Sequence, residues 1–185
     1  VINSIGALHQ FEKHNIKSNP NLLTCLVGGD NRHYNFNSKQ ADDLSKKLIE
    51  IKKFNSEIKF SIITSRRTSN IVKKILFKNL HNIAKIWHGD GKNPYKKSIQ
   101  ESSFFIVTSD STSMISETAI SGKPLYVYHL PFKRKSSRIL NFHNEFSNLG
   151  ISRNINSIKK LEKWEYEPLN ESERIARIIK EKLIK

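Results

Sequence analysis

Phe104-Phe105-Ile106-Val107-Thr108-Ser109-Asp110-Ser111-Thr112-Ser113-Met114-Ile115-Ser116-Glu117, closed by Gly122-Lys123-Pro124, carries the fold class of this chain. Its first four residues are uninterruptedly apolar, which suits a strand covered on both faces. The polar cluster after them offers helix-capping side chains and backbone N–H groups left over at a helix start. Strand, hydroxyl-rich turn and helix, in that order, are the unit with which α/β proteins hold phosphate, because free amides and the positive helix end attract an anion. Ser113 and Glu117 lie four positions apart and share a helix face, so a carboxylate stands one turn behind the anion site. A ribose diol is one ligand that fits both.

The same alternation continues on either side. Leu22–Val27 reads as a strand, Gly28-Gly29-Asp30-Asn31-Arg32-His33-Tyr34 as a loop, and Ser38 opens a helix with Ala41, Leu44, Leu48 and Ile51 on one face. Strands at Ile58–Ile63, Ile83–Trp87 and Leu125–Tyr128 are interleaved with helices near 71–80, 94–102 and 112–121, and a further helix is expected around 137–147. The fold class is therefore α/β: a Rossmann-like, doubly wound parallel sheet of about five to six strands. Residues 1–20 read as a lead-in or interdomain linker, 21–170 as the domain, and the stretch from 171 as a C-terminal helix with Ile175, Ile178, Ile179 and Leu183 in one apolar stripe.

With 185 residues and 37% hydrophobic content the chain can build one sizeable core. It starts at Val1 and its one methionine is Met114, so a C-terminal half of a longer protein is expected. No apolar run reaches the roughly 18 residues of a membrane span, and residues 1–20 carry no signal-like block. The expected location is cytoplasmic, at most peripheral to a membrane. The single cysteine, Cys25, lies in an apolar run and reads as a core thiol. A net charge of +15, from 32 Lys and Arg against 17 Asp and Glu, makes anionic partners electrostatically plausible without choosing among them. Specific nucleic-acid binding is not expected, because neither stacking motifs nor a recognition helix accompany the charge.

In an open α/β sheet, ligands bind at the carboxyl ends of the strands. Gly28-Gly29-Asp30, Ser65-Arg66-Arg67, His88-Gly89-Asp90-Gly91, Ser109–Ser113 and Leu130–Arg134 all follow a strand, so they gather on that edge. Gly28 and Gly29 let backbone approach a ligand closely. Arg66 and Arg67 could clamp a diphosphate, and Lys133-Arg134-Lys135 adds a second basic group. Neither G-x-G-x-x-G nor a Walker A pattern is present, which removes support for nicotinamide binding and P-loop hydrolysis. The seven histidines show no metal-ligand spacing, so no metal is expected; His88 and His143 stand in distinctive contexts, while His9, His14, His81 and His129 read as surface or packing residues. Gly-x-Ser-x-Gly is absent, and a hydrolase triad is rejected.

Taken in order, Gly28–Tyr34, Thr64-Ser65-Arg66-Arg67-Thr68, Trp87-His88-Gly89-Asp90-Gly91-Lys92-Asn93-Pro94-Tyr95, Thr108–Glu117, Gly122-Lys123-Pro124 and Phe142-His143 resemble the successive motifs of the mitochondrial fission ELM-like family over about residues 6–170. Members are about twice this length, which implies an N-terminal domain outside this chain. That family in turn resembles GT-B glycosyltransferases, whose C-terminal domain holds a nucleotide-sugar. In the cell-wall GlcNAc transferase of that class a Ser-Glu pair precedes Gly-x-Pro, and the glutamate holds the ribose; Ser116-Glu117 before Gly122-Lys123-Pro124 has the same spacing.

The resemblance implies a donor site for a nucleoside-diphosphate sugar as substrate, with no cofactor and no metal. Glu117 would hold ribose, and His88 and Gly89 would lie near the base. Gly28, Gly29, Arg66, Arg67, Ser109, Asp110, Ser111, Ser113 and Lys133 form the expected diphosphate set. Catalytic residues, the acceptor and the general base are expected in the other domain. The competing expectation is a non-catalytic adaptor on the same fold.

Overall fold

The computed structural model describes residues 1–12 and 18–184, so His14 and part of the expected lead-in lie outside the described residues. The elements run β1 (Asn19–Val27), α1 (Ser38–Phe54), β2 (Lys59–Thr64), α2 (Asn70–Leu80), β3 (Ala84–Trp87), α3 (Tyr95–Glu101), β4 (Ser102–Thr108), α4 (Thr112–Ala119), β5 (Leu125–Tyr128), α5 (Ser137–Asn148), β6 (Ser152–Asn154) and α6 (Glu171–Leu183). All pairings are parallel and the six strands take the order β3-β2-β1-β4-β5-β6. Chain direction across the sheet reverses between β1 and β4, which makes their carboxyl ends the switch point.

β4 shows why its sequence reads as an apolar run without alternation. Phe104 and Ile106 enter a core shared with Leu44, Leu48 and Leu76 of α1 and α2. Phe105 and Val107 enter the opposite core with Ile115 and Ala119 of α4 and Phe146 of α5. Each fully buried Leu, Ile or Phe contributes about 2–3 kcal/mol by leaving water. Local signals agree with this packing: Asn37 caps α1 and Gln40 returns the bond to the cap backbone. Cys25 is fully buried and burial pushes its thiol up to about 12, as a core thiol requires.

Two features depart from the sequence pattern. β6 is a short polar strand on the edge, held by pairing with β5 and by Trp164, over whose ring Arg153 lies at 4.1 Å. The N-terminal segment is tied to the helices: the Ala7 amide donates to Ser116 Oγ at 2.9 Å and the Ile5 amide to Glu171 Oε2 at 2.8 Å. Arg174 Nη2 reaches the Asn3 carbonyl at 2.7 Å. Residues 3–9 are thus strapped between α4 and α6, with Gly6 buried so closely that a Cβ there would stand 2.8 Å from Ser116 Oγ.

Candidate functional site

The switch point is filled by a knot of the protein's own groups. The Gly28 amide donates to Thr108 Oγ1 at 2.8 Å, the Gly29 amide to Asp110 Oδ2 at 2.9 Å, and Thr108 Oγ1 donates to Asp110 Oδ1 at 2.7 Å. Arg67 Nη2 closes the ring, 2.9 Å from Asp110 Oδ2. Burial pushes the Asp110 carboxyl up, against the pull of Thr108, Gly29 and Arg67. The Gly28 and Gly29 amides, expected at the diphosphate, both donate internally in this structure. Neither glycine has positive φ. Close approach demands them: a Cβ would stand 2.1 Å from Asp110 Oδ2 at Gly28 and 2.1 Å from the Arg67 carbonyl oxygen at Gly29. Asp110 orders the loops, and a carboxylate so placed would repel a phosphate rather than hold it.

Other members of the expected set are also engaged. Ser109 Oγ accepts from the Leu130 amide at 2.9 Å, and Lys133 is ion-paired with Asp30. Ser111 caps α4. The loops after β1 and β5 are bolted together over the end of β4 by the Tyr34–Phe132 bridge, whose rings stack at 4.5 Å, and by the Asn35 amide donating to the Pro131 carbonyl at 2.9 Å. Beneath them His143 Nε2 lies 3.1 Å from both Tyr34 Oη and the Ser109 carbonyl. Burial first, then neighbouring His129, pulls this imidazole down to about 4.

Beside the knot, a cleft of about 430 Å³ opens at the carboxyl ends of β2 and β3. It brings together Arg66, His88, Gly89 and Glu117, which the sequence placed in two separate loops and a helix. Tyr95 on α3 donates to Glu117 Oε2, and no donor to Oε1 is found among the described residues. Burial and the Glu117 charge push the Tyr95 phenol up, so it stays a donor. Lys73 Nζ fixes the His88 carbonyl at 3.0 Å, and Trp87 Nε1 donates to the Asp90 carbonyl at 2.6 Å. The wall of Trp87 and Gly89 is therefore pre-formed. The signal for Tyr95 was its place in the motif ending at Asn93-Pro94-Tyr95; its role emerges only when α3 packs against α4.

Ser113 is exposed in the first turn of α4, and the Thr112 and Ser113 amides have no acceptor among the described residues. They lie one turn ahead of Glu117 on the same helix. Across that helix start lies a second cavity of about 710 Å³, lined in part by Asn31, His33, Thr112, Arg138 and Phe142. A groove of about 760 Å³ at the opposite, amino edge of the sheet is lined by Pro20, Ser103, Lys123 and Tyr166 and is remote from these loops. Among the described residues no cluster of three or more His, Cys, Asp or Glu is arranged for a metal ion, and no described helix is long and apolar enough to cross a membrane.

A family model described as Mitochondrial fission ELM1 matches residues 1–183. The chain is 39% identical over 165 residues to Uncharacterized protein RP120 of Rickettsia prowazekii, covering 86% of this chain and 46% of that protein. It is 26% identical over 201 residues to Mitochondrial fission protein ELM1 of Arabidopsis thaliana, covering 99% of this chain and 45% of the relative. The chain thus spans about half the length of the curated relatives it matches. Among solved structures, UDP-GlcNAc 2-epimerase from Neisseria meningitidis bound to UDP-GlcNAc superposes with a TM-score of 0.51 at 15% identity, over 90% of this chain and 46% of the epimerase. That likeness concerns the fold, a Rossmann-like half of GT-B type.

Proposed function

The chain belongs to the mitochondrial fission ELM1 family, and on that premise we propose that it is the nucleotide-sugar-binding half of a GT-B-like glycosyltransferase. The observation that carries the reading is the juxtaposition of Glu117, Tyr95, Arg66 and the Trp87–Gly89 wall in one cleft, which α4 lines with Met114 and Glu117. Glu117 Oε1 would accept from a ribose hydroxyl while Tyr95 holds Oε2. The base would lie against Trp87, His88 and Gly89, and the diphosphate would take the Thr112 and Ser113 amides, the Ser113 hydroxyl and the helix dipole. The epimerase with this fold was solved bound to UDP-GlcNAc, which makes uridine nucleotides the first ligands to test.

In glycosyl transfer the bond from the anomeric carbon to the diphosphate oxygen breaks, negative charge builds on the leaving diphosphate, and an acceptor oxygen bonds to the carbon. The α4 start and Arg66 would stabilise that charge. Of the expected basic set, Arg66 suits this role better than Arg67 and Lys133, which already have carboxylate partners. Because the chain covers less than half of each curated relative, this proposal assigns the acceptor-binding groups and the general base mainly to the remainder of the protein.

Calorimetry of the full-length protein with UDP, ADP, GDP and their sugars tests the reading. A nucleoside diphosphate should bind, and Glu117→Ala should weaken it by about tenfold or more, the loss of a charge-assisted hydrogen bond. No binding at millimolar ligand, or binding unchanged by that substitution, would overturn the donor site and leave the adaptor reading of the family.

A further inference from the structure

The cavity across the start of α4 is built from parts the donor reading does not use. Arg138 on α5 lines it and has no ion-pair partner among the described residues. His33 lines it too, accepting Arg32 Nε at 2.7 Å through Nε2 and donating from Nδ1 to the Arg134 carbonyl at 3.2 Å. An arginine oriented by a neutral imidazole keeps its charge and its Nη donors unspent, unlike one held by a carboxylate. The carboxylates facing the cavity are Glu145 and Asp110, and Asp110 is already matched by Arg67. The backbone of Lys133 and Arg134 is bonded to His33, and Asp30 engages the Lys133 ammonium. On the same helix as Arg138, Ile139 and Phe142 give the cavity an apolar part of its lining.

We propose that this cavity is a second anion site, which takes a phosphomonoester attached to a less polar body. Arg138 grips the phosphate together with Arg32, which His33 holds at the cavity's edge, Asn31 supplies a neutral donor, and Phe142 packs against the body. Placed across one helix turn from the first cleft, the bound molecule stands where an acceptor would meet a donor sugar. That last role rests on the donor reading; the anion site itself does not.

Glucose 1-phosphate titrated into the full-length protein, and flotation with phosphatidylcholine vesicles with or without phosphatidic acid, distinguish the two sources of such a group. Arg138→Gln and Arg32→Gln should each weaken the probe that binds by about tenfold. Lys74→Gln on α2 should change it by less than about twofold. Binding of the soluble probe assigns the site to a soluble phosphomonoester, and capture by phosphatidic acid alone assigns it to a lipid headgroup; either supports the site. Binding of neither probe, or equal loss in Lys74→Gln, overturns it. Loss in Glu117→Ala equal to that in Arg138→Gln also overturns it, by putting the anion in the first cleft. If glucose 1-phosphate binds while nucleotides do not, the donor reading fails and the anion site stands.

Discussion

The phenol of Tyr95 donates its hydrogen to the Glu117 carboxylate, 22 residues further along the chain, and so ties the start of α3 to the middle of α4. One carboxylate oxygen is fixed from inside the protein and the other faces the cleft. Tyr95→Phe keeps the edge contact with Phe11 but removes the donor. Nucleotide affinity should fall about threefold to tenfold and folding stability by about 1 kcal/mol, read by calorimetry and urea denaturation. An affinity equal to wild type would detach Glu117 from the ligand.

The knot at the switch point should be intolerant of one methyl group. Gly29→Ala drives a Cβ against the Arg67 backbone and should cost about 2–3 kcal/mol, an overpacking effect. Gly91→Ala has nothing within 4 Å and suffers only from its φ of +71°, so about 1 kcal/mol is expected. Equal denaturation midpoints for the two variants would contradict the close approach.

His143 gives the fold a specific acid sensitivity. Folded, its imidazole titrates at about 4 because it is buried beside His129; unfolded, it titrates near 6.5. Between those values the unfolded chain binds a proton that the folded chain refuses. The stability present in full above pH 6.5 is therefore lost as pH falls toward 4, at about 1.4 kcal/mol per pH unit. His143→Asn should flatten this part of the urea-stability profile relative to wild type, with other titrating groups cancelling in the comparison. Parallel profiles would place the proton elsewhere.

Lys123 braces the far end of α3. Its Nζ donates to the Gln100 carbonyl at 3.2 Å and the Ser102 carbonyl at 2.8 Å, and burial pulls its pKa down. Lys123→Met preserves the apolar stem and strands both carbonyls, for an expected loss of about 1–2 kcal/mol and a fall of about 2–8 °C in melting temperature. A melting curve that does not move would show the brace to be dispensable.

The succession of β1 to β5 along the chain and the loops on one edge were legible because they rest on local pattern: runs such as Phe104–Val107 and helical spacing from Ala41 to Ile51. β6 was not, since Ser152-Arg153-Asn154 carries no apolar signal and becomes a strand only through pairing with β5. The glycine pair was legible as a close approach, but what approaches is Asp110, 81 residues from Gly29, and no spacing rule reaches that far. For the same reason Lys133 read as a free cation; its partner Asp30 lies 103 residues away. Glu117, His88, Gly89 and Arg66 do share a cleft, because strand ends in one parallel sheet converge whatever lies between them in sequence.

The N-terminal strap changes where this domain can be cut. A boundary drawn at the start of β1, where the first strand would invite it, would strip Ala7 and His9 from Ser116 and the Ile5 amide from Glu171, a carboxylate only 2% exposed. The buried seat of Gly6 against Phe146 would open to water as well. Residues that look like a disposable leader therefore behave as an inner layer, and a shortened version meant for expression or fusion has to begin ahead of Asn3.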